Sequence, residues 1–214
     1  MRYDPDRHHR RSIRLLGYDY CSAGAYFVTV CTHRRELLFE DPVLRRVAET
    51  MWQRIPRHFP NVQLDGWVVM PNHVHGIVVI TDDPCRGETS PETVSSAHWS
   101  TSNETGSTRE PITRDVSPLR RRPIGAPAGS LGIIVGNFKS VTARHINRLR
   151  RTPGAPVWQR NYYEHVVRDE RALDAIRQYI AGNPARWVWD TYNPSATGPD
   201  PQAADLWCML QAQA

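Results

Sequence analysis

Apolar and polar residues alternate along the chain in patterns that predict four strands. Residues 26–32 form a β-branched run bounded by small residues, which predicts the first strand. Residues 62–70 and 73–81 are two further apolar runs, and only Pro71 and Asn72 separate them. This spacing predicts a hairpin whose turn lies at those two residues. Residues 161–168 predict the fourth strand.

Two segments between these strands repeat apolar residues at helical spacing. Asp41 and Pro42 predict the start of a helix that ends at Pro56 and Pro60. Residues 129–150 predict a second helix with one apolar face. That face is expected to be buried and consists of Leu131, Ile134, Val135, Phe138, Thr142, His145, Ile146 and Leu149.

The order of these elements predicts an α+β fold. Strand, helix, strand, strand, helix, strand is the β-α-β-β-α-β pattern of ferredoxin-like folds. We therefore expect a four-stranded antiparallel sheet with both helices on one face. A third helix follows, which begins after the cap Asp169 and is closed by Gly182 and Pro184.

The rest of the chain defines the predicted domain boundaries. One domain is expected over residues 21–190, preceded by a basic arm at 1–20 and followed by an irregular tail at 191–214. Residues 82–128 are rich in Ser, Thr, Pro, Gly and Glu, and their apolar residues are scattered. Such a segment cannot bury enough surface to offset its ordering entropy, so a disordered insert is predicted there.

The start of the third strand carries a His-Val-His sequence. Successive side chains of a strand point to opposite faces, so His73 and His75 share one face, and Val74 points into the core on the other. Imidazole is a common metal ligand, and the two histidines form half of a candidate metal site. A pair of surface histidines on an edge strand has the same short sequence and stays open as an alternative.

The third helix carries a second candidate pair. Tyr179 and Asn183 are four residues apart and therefore lie one above the other on one helix face. A tyrosine hydroxyl can act as a covalent nucleophile, and an Asn oxygen suits Mg²⁺ or Mn²⁺. Spacing alone favours the simpler interpretation, a tyrosine packed at a helix end and an asparagine that caps it.

Composition narrows the classes of function. A net charge of +5 and a pI of about 9.3 favour a polyanionic partner, with nucleic acid the first candidate. No apolar run reaches the length of a membrane span, and the N-terminal residues lack the apolar region of a secretory signal. The four cysteines show no metal-type spacing, so we expect reduced thiols and a cytoplasmic, nucleoid-associated protein.

Basic residues in two places are candidates for phosphate contacts, although a solvated surface has the same composition. One group lies in the N-terminal arm and the other on the polar face of the second helix. The candidates are Arg10, Arg11, Arg14, Lys139, Arg144 and Arg148.

Taken in order, several stretches resemble the REP-associated tyrosine transposases of bacteria, which belong to the single-tyrosine HUH transposases. The strongest are Met70-Pro71-Asn72-His73-Val74-His75, Val157-Trp158-Gln159-Arg160 and Tyr179-Ile180-Ala181-Gly182-Asn183-Pro184. Shorter matches lie at residues 18–29 and 130–147. Together they cover most of the chain outside the insert and the tail, and the ordered set is more specific than any one stretch.

The resemblance implies a mechanism and a partner. It implies a divalent metal, Mg²⁺ or Mn²⁺, on His73, His75 and Asn183. It implies that Tyr179 cleaves single-stranded DNA beside repetitive palindromic hairpins and leaves a 5′-phosphotyrosine link and a free 3′-OH. Relatives include monomers and homodimers, so either state is compatible with it.

Other assignments stay open at this level. Tyr162 and Tyr163 lie in the fourth strand, and Tyr192 lies in the predicted tail with no regular element to hold it. A DNA-hairpin binding protein with a vestigial site, acting as a repressor or structural factor, is the first alternative function. A metal-dependent phosphohydrolase of small molecules is the second, and the basic charge argues mildly against it.

Overall fold

A computed structural model describes residues 18–81 and 129–211. The predicted insert at 82–128 and the arginines Arg10, Arg11 and Arg14 lie outside the described residues. Within the described ranges, no helix has the length and the apolar character needed to cross a bilayer.

A four-stranded antiparallel sheet forms the centre of the protein, which confirms the ferredoxin-like prediction. Its strands are β1 (Gly24–Cys31), β2 (Val62–Met70), β3 (His73–Ile80) and β4 (Tyr163–Val167), in the order β2-β3-β1-β4. The tight Pro71-Asn72 turn makes β2 and β3 neighbours. The helical connections place β1 between β3 and β4, and it pairs with both.

Two helices cover one face of the sheet, as predicted. They are α1 (Pro42–Gln53) and α3 (Leu131–Arg150), and Trp52 of α1 is fully buried between them and the strands. Asp41 caps α1 by accepting hydrogen bonds from the backbone N–H groups of Val43 and Leu44.

Two further helices bury the opposite face of the sheet. They are α4 (Glu170–Gly182) and α5 (Pro201–Gln211), and a 3₁₀-helix, Asn183–Trp189, follows α4 directly. Their apolar residues pack against the strand side chains that point away from α1 and α3. The buried residues of this second core, from the strands and the helices together, are Phe27, Ile77, Ala172, Ile176, Tyr179, Ile180, Ala203, Leu206 and Leu210.

The helix α5 replaces the irregular tail that the sequence predicted. Asp200 accepts a hydrogen bond from the backbone N–H of Gln202, and Pro201 occupies the first helical position. This Asp-Pro start is the same signal that correctly located α1, so the information was present in the sequence. Because α5 contributes to the core, the domain extends past residue 190.

Two prolines expected to end helices instead lie in the first turn of a following helix. The helix α1 ends at Gln53, and Pro56 lies in the short α2 (Ile55–His58). Pro184 lies likewise at the start of the 3₁₀-helix after α4. Proline lacks only an N–H that the first turn leaves unpaired in any case, so it is tolerated there.

The last turns of α3 differ from the predicted burial. His145 and Leu149 are exposed, whereas Asn147 is buried and donates a hydrogen bond to the carbonyl of Ala155. Helical spacing correctly predicted the face that points inwards over the first three turns. It could not predict how far along the helix other elements continue to cover that face.

An ion-pair network ties α4 to the edge strand β2. The strand pairing shifts register between Leu64 and Trp67, and Asp65 lies within this irregularity. The guanidinium of Arg177 donates hydrogen bonds to both carboxylate oxygens of Asp65, the shortest of 2.7 Å. Arg177 is two residues before Tyr179, so this contact holds the part of α4 that carries the tyrosine.

Candidate metal centre

His73 and His75 lie side by side on the face of the sheet that α4 and α5 cover. Both are fully buried, and their Nε2 atoms are 2.9 Å apart. Val74 points to the other face and packs into the core with α1 and α3, as the strand period predicted. Burial in β3, a central strand, excludes the alternative of surface histidines on an edge strand.

Asn72 orients His73. Its amide nitrogen donates hydrogen bonds to the carbonyls of Tyr192 at 2.6 Å and of Arg35 at 3.3 Å. Its amide oxygen is therefore the acceptor that faces Nδ1 of His73 at 2.8 Å. In this network Nδ1 of His73 carries the hydrogen, and the lone pair of Nε2 points towards His75. The sequence suggested only a turn at Asn72.

Thr29 and Phe27 of β1 hold His75. The Thr29 hydroxyl lies 2.8 Å from Nδ1 of His75, and the ring of Phe27 stacks on the imidazole at 5.6 Å between centroids. The antiparallel register places Thr29 directly opposite His75. Both imidazoles thus have a partner at Nδ1 and turn Nε2 into the same space.

Burial keeps both histidines neutral. It lowers the pKa of His75 to about 3, and it lowers the pKa of His73 well below its usual range, with smaller contributions from His75 and Arg35. The neutral imidazole is the form that binds metal ions.

The structure adds Asp190, which the sequence reasoning missed. Its Oδ1 accepts a hydrogen bond from the backbone N–H of Tyr192. Its Oδ2 is buried without a hydrogen-bond partner in the described parts of the chain and lies 3.6 Å from Nε2 of His73. Because burial keeps His73 neutral, this approach is not an ion pair. Ligand atoms of His73, His75 and Asp190 all lie within 4.8 Å of one another.

Asn183, the predicted third ligand, lies at the end of α4. It is buried, and among the residues that the structure describes neither polar atom of its side chain has a partner with normal hydrogen-bond geometry. Buried polar atoms without partners are uncommon in proteins. Two imidazoles and a carboxylate form a donor set suited to a divalent cation, so His73, His75 and Asp190 fit the implied metal, and Asn183 as a ligand stays a prediction.

Tyr179 lies next to His75, and its role as the nucleophile stays a prediction. Its ring is 5.3 Å from that of His75, and its side chain is buried against Phe27 and Trp207. Burial raises the pKa of Tyr179 to about 12, and the nearby Asn183 amide opposes that shift.

Arg186 of the 3₁₀-helix fixes the position of Tyr179. Its guanidinium lies 5.6 Å from the centre of the Tyr179 ring and donates a hydrogen bond to the Tyr179 carbonyl. The same guanidinium pairs with the buried carboxylate of Asp200 at the start of α5. Arg186 therefore contacts both the backbone and the ring of Tyr179.

Tyr192 also lies at the metal centre, although it belongs to no helix or strand, as the sequence predicted. Its ring is 4.8 Å from that of His73, the guanidinium of Arg35 lies 5.0 Å from its centre, and Asn72 binds its carbonyl. The tertiary structure thus brings two tyrosines to the histidines. Tyr162 and Tyr163 are half-buried on opposite sides of the sheet.

The predicted basic residues of α3 do not join this site. Arg144 and Arg148 are exposed on the helix that covers the other face of the sheet. The ammonium of Lys139 donates hydrogen bonds to the carbonyls of Gln159 and Arg160, so it holds the segment before β4. Phosphate binding by these side chains stays a prediction.

These observations define an α+β protein of ferredoxin-like topology with a buried His-His-Asp cluster that could hold a metal ion. No protein-family model matches the chain. An uncharacterized protein of Haemophilus influenzae Rd is 33% identical over 197 residues, which cover 88% of this chain and 96% of that protein. The chain belongs to the same family as this Haemophilus protein.

Two solved structures are similar to the chain, each at 16% sequence identity. One is a REP-associated tyrosine transposase bound to a REP hairpin, with a TM-score of 0.49 over 84% of this chain and 76% of that chain. The other is a protein of Deinococcus radiodurans R1, with a TM-score of 0.39 over 80% of this chain and 97% of that chain.

Proposed function

We propose that this protein is a divalent-metal-dependent transposase that nicks and rejoins single-stranded DNA beside hairpins, with Tyr179 as the nucleophile. The observation that carries the proposal is the convergence of two neutral imidazoles and the Asp190 carboxylate beside the Tyr179 ring. The sequence resemblance supports the same assignment and adds the hairpin substrate. The net charge of +5 favours a polyanion.

The metal would be held by His73, His75 and Asp190, with Asn183 as a further oxygen ligand. When bound, a divalent cation supplies positive charge that stabilises a phosphodiester during substitution at phosphorus. The neighbouring residues contribute orientation: Asn72 and Thr29 direct the imidazoles, and Arg186 contacts the Tyr179 ring and carbonyl.

In the proposed reaction, the Tyr179 oxygen attacks phosphorus and forms a new P–O bond. The bond from phosphorus to the 3′ oxygen of the preceding nucleotide breaks, and that oxygen takes up a proton to become a 3′-OH. The tyrosine proton passes to solvent. One phosphodiester replaces another, so the 3′-OH can reverse the step and rejoin DNA without an energy source.

The burial of Tyr179 favours a second candidate. Its side chain is 6% exposed and packs under Trp207 of α5, and its pKa is raised rather than lowered. A hairpin-binding protein with a vestigial site, acting as a repressor, would tolerate such a tyrosine.

A covalent-adduct assay separates the two candidates. End-labelled single-stranded DNA containing a hairpin from the gene's own flanks is incubated with the protein and Mn²⁺, then run on a denaturing gel. We expect a protein–DNA adduct that Tyr179→Phe removes and Tyr192→Phe retains. Hairpin binding without any adduct would favour the repressor, and an adduct lost only in Tyr192→Phe would reassign the nucleophile.

A further inference from the structure

We propose that a cavity beside Tyr179 binds one unpaired nucleobase of the DNA strand that reaches the metal centre. The cavity has a volume of about 410 Å³ and lies between α5, the edge strand β4 and residues 191–192. This inference rests on the proposed function, because it takes single-stranded DNA as the substrate.

Aromatic side chains form the walls of this cavity. Tyr163 of β4 and Trp207 of α5 meet edge to face, with their ring centroids 5.1 Å apart. Tyr179 and Tyr192 line the end that is closest to the histidines. Rings of this kind provide stacking surfaces for unpaired bases, since every base has a π face.

The size and the position of the cavity suit one base. Pockets for small ligands begin at roughly 300 Å³, so the volume accommodates one base with part of its sugar but no duplex. Because Tyr179 lines the cavity, a strand joined to its oxygen would run beside the cavity. An extruded base beside the reacting phosphate would fill the space.

Polar groups at the cavity distinguish a base from a purely apolar ligand. His165 of β4 lines it, and its Nε2 has no hydrogen-bond partner within the described chain. Gln211 and Thr191 add amide and hydroxyl groups at the exposed margin. Donors and acceptors beside aromatic walls match the heteroatoms of a nucleobase.

The first experiment measures stacking without cleavage. The probe is a ten-residue oligothymidylate with one central 2-aminopurine, whose fluorescence is quenched by stacking. We expect quenching by the full-length protein and by Tyr179→Phe, which keeps the ring. Trp207→Leu and Tyr163→Leu should each weaken the quenched complex about tenfold. Trp189→Leu removes an exposed indole outside the cavity and should behave as the wild type.

Melting temperatures of all variants identify any that fail to fold. Trp207 and Tyr163 lie on different elements, so if one of these two variants fails to fold, the other still tests the cavity. Equal quenching by wild type, Trp207→Leu and Tyr163→Leu would overturn the proposal. So would an equal loss in Trp189→Leu.

A second experiment separates this inference from the proposed function. Abasic sites are placed one at a time along the hairpin substrate, and adduct yield is measured for wild type and Trp207→Leu. We expect one position at which base removal lowers the yield in the wild type but causes no further loss in the variant. If adducts form but no position shows this pattern, the proposal of a base-binding cavity is overturned and the proposed nuclease function stands. If Trp207→Leu and Tyr163→Leu weaken the quenching but no adduct forms with any substrate, the nuclease function is overturned and the base-binding cavity stands.

Discussion

The Nε2 atoms of His73 and His75 lie 2.9 Å apart, with the free carboxylate oxygen of Asp190 3.6 Å from the first of them. In the tautomers in which Nδ1 of His73 donates to Asn72 and Nδ1 of His75 donates to Thr29, both Nε2 atoms present lone pairs in this space. A cation bound there would satisfy all three groups at once, so the folded chain should bind it far better than the unfolded chain.

Metal binding should therefore be visible as stability. We expect Mn²⁺ at about one hundred times its dissociation constant to raise the free energy of unfolding by about 2.7 kcal/mol over EDTA, measured by urea melts. Asp190→Asn removes the negative charge and should abolish most of this gain at the same Mn²⁺ concentration. Glu40→Gln, an exposed acid outside the cluster, is the control. An undiminished gain in Asp190→Asn would place the cation elsewhere.

Asn72→Ala should weaken both the fold and the metal centre. The substitution removes the acceptor of His73 and leaves the carbonyls of Arg35 and Tyr192 without this donor. We expect a loss of about 2–3 kcal/mol in the free energy of unfolding. Loss of an outer-shell partner should also weaken Mn²⁺ binding about 10–100-fold in a titration.

The exposed Asn161 offers the matched control, since Asn161→Ala should change neither quantity. If Asn72→Ala bound Mn²⁺ as tightly as the wild type, Asn72 would not orient His73.

Gly76→Ala should disrupt packing across the sheet. A Cβ at Gly76 would overlap the indole of Trp52, which is fully buried and cannot move aside. We expect a loss of about 1–3 kcal/mol in urea melts. A Cβ at Gly136, in α3, would meet no atom of the described residues within 4 Å, so Gly136→Ala should instead add about 0.5–1 kcal/mol through helix propensity. Equal effects of the two substitutions would contradict this packing.

The Asp65–Arg177 pair predicts a pH dependence of stability. Hydrogen bonds from Arg177 are the main cause that holds the pKa of Asp65 below its usual value. A carboxyl with a lowered folded pKa stabilises the fold above its unfolded pKa, about 3.9, and this contribution is lost as the pH falls through the folded value.

Asp65→Asn should therefore lower the urea midpoint at pH 6, and the difference from wild type should shrink towards pH 3. The effect should be modest because both groups are partly solvated. The exposed Asp205 serves as control through Asp205→Asn. A difference that grew as the pH fell would reverse the sign of the linkage.

Local sequence patterns determined much of the secondary structure and strand pairing of this protein. The period of two in β3 decided that His73 and His75 share a face, and the Pro71-Asn72 turn decided that β2 and β3 pair. The bounds of β2 and the cap of α1 at Asp41 also followed from the sequence. These features depend on backbone geometry and neighbouring residues, so a short window of sequence contains their cause.

The tertiary structure alone decided which distant residues complete the site. Asp190 and Tyr192 reach the histidines only because α4 and the 3₁₀-helix return the chain to the start of β3. The exposure of His145 had the same origin, since periodicity gives a direction but not the extent of the neighbouring elements. Such contacts depend on the path of the whole chain, and spacing along the sequence carries no record of them.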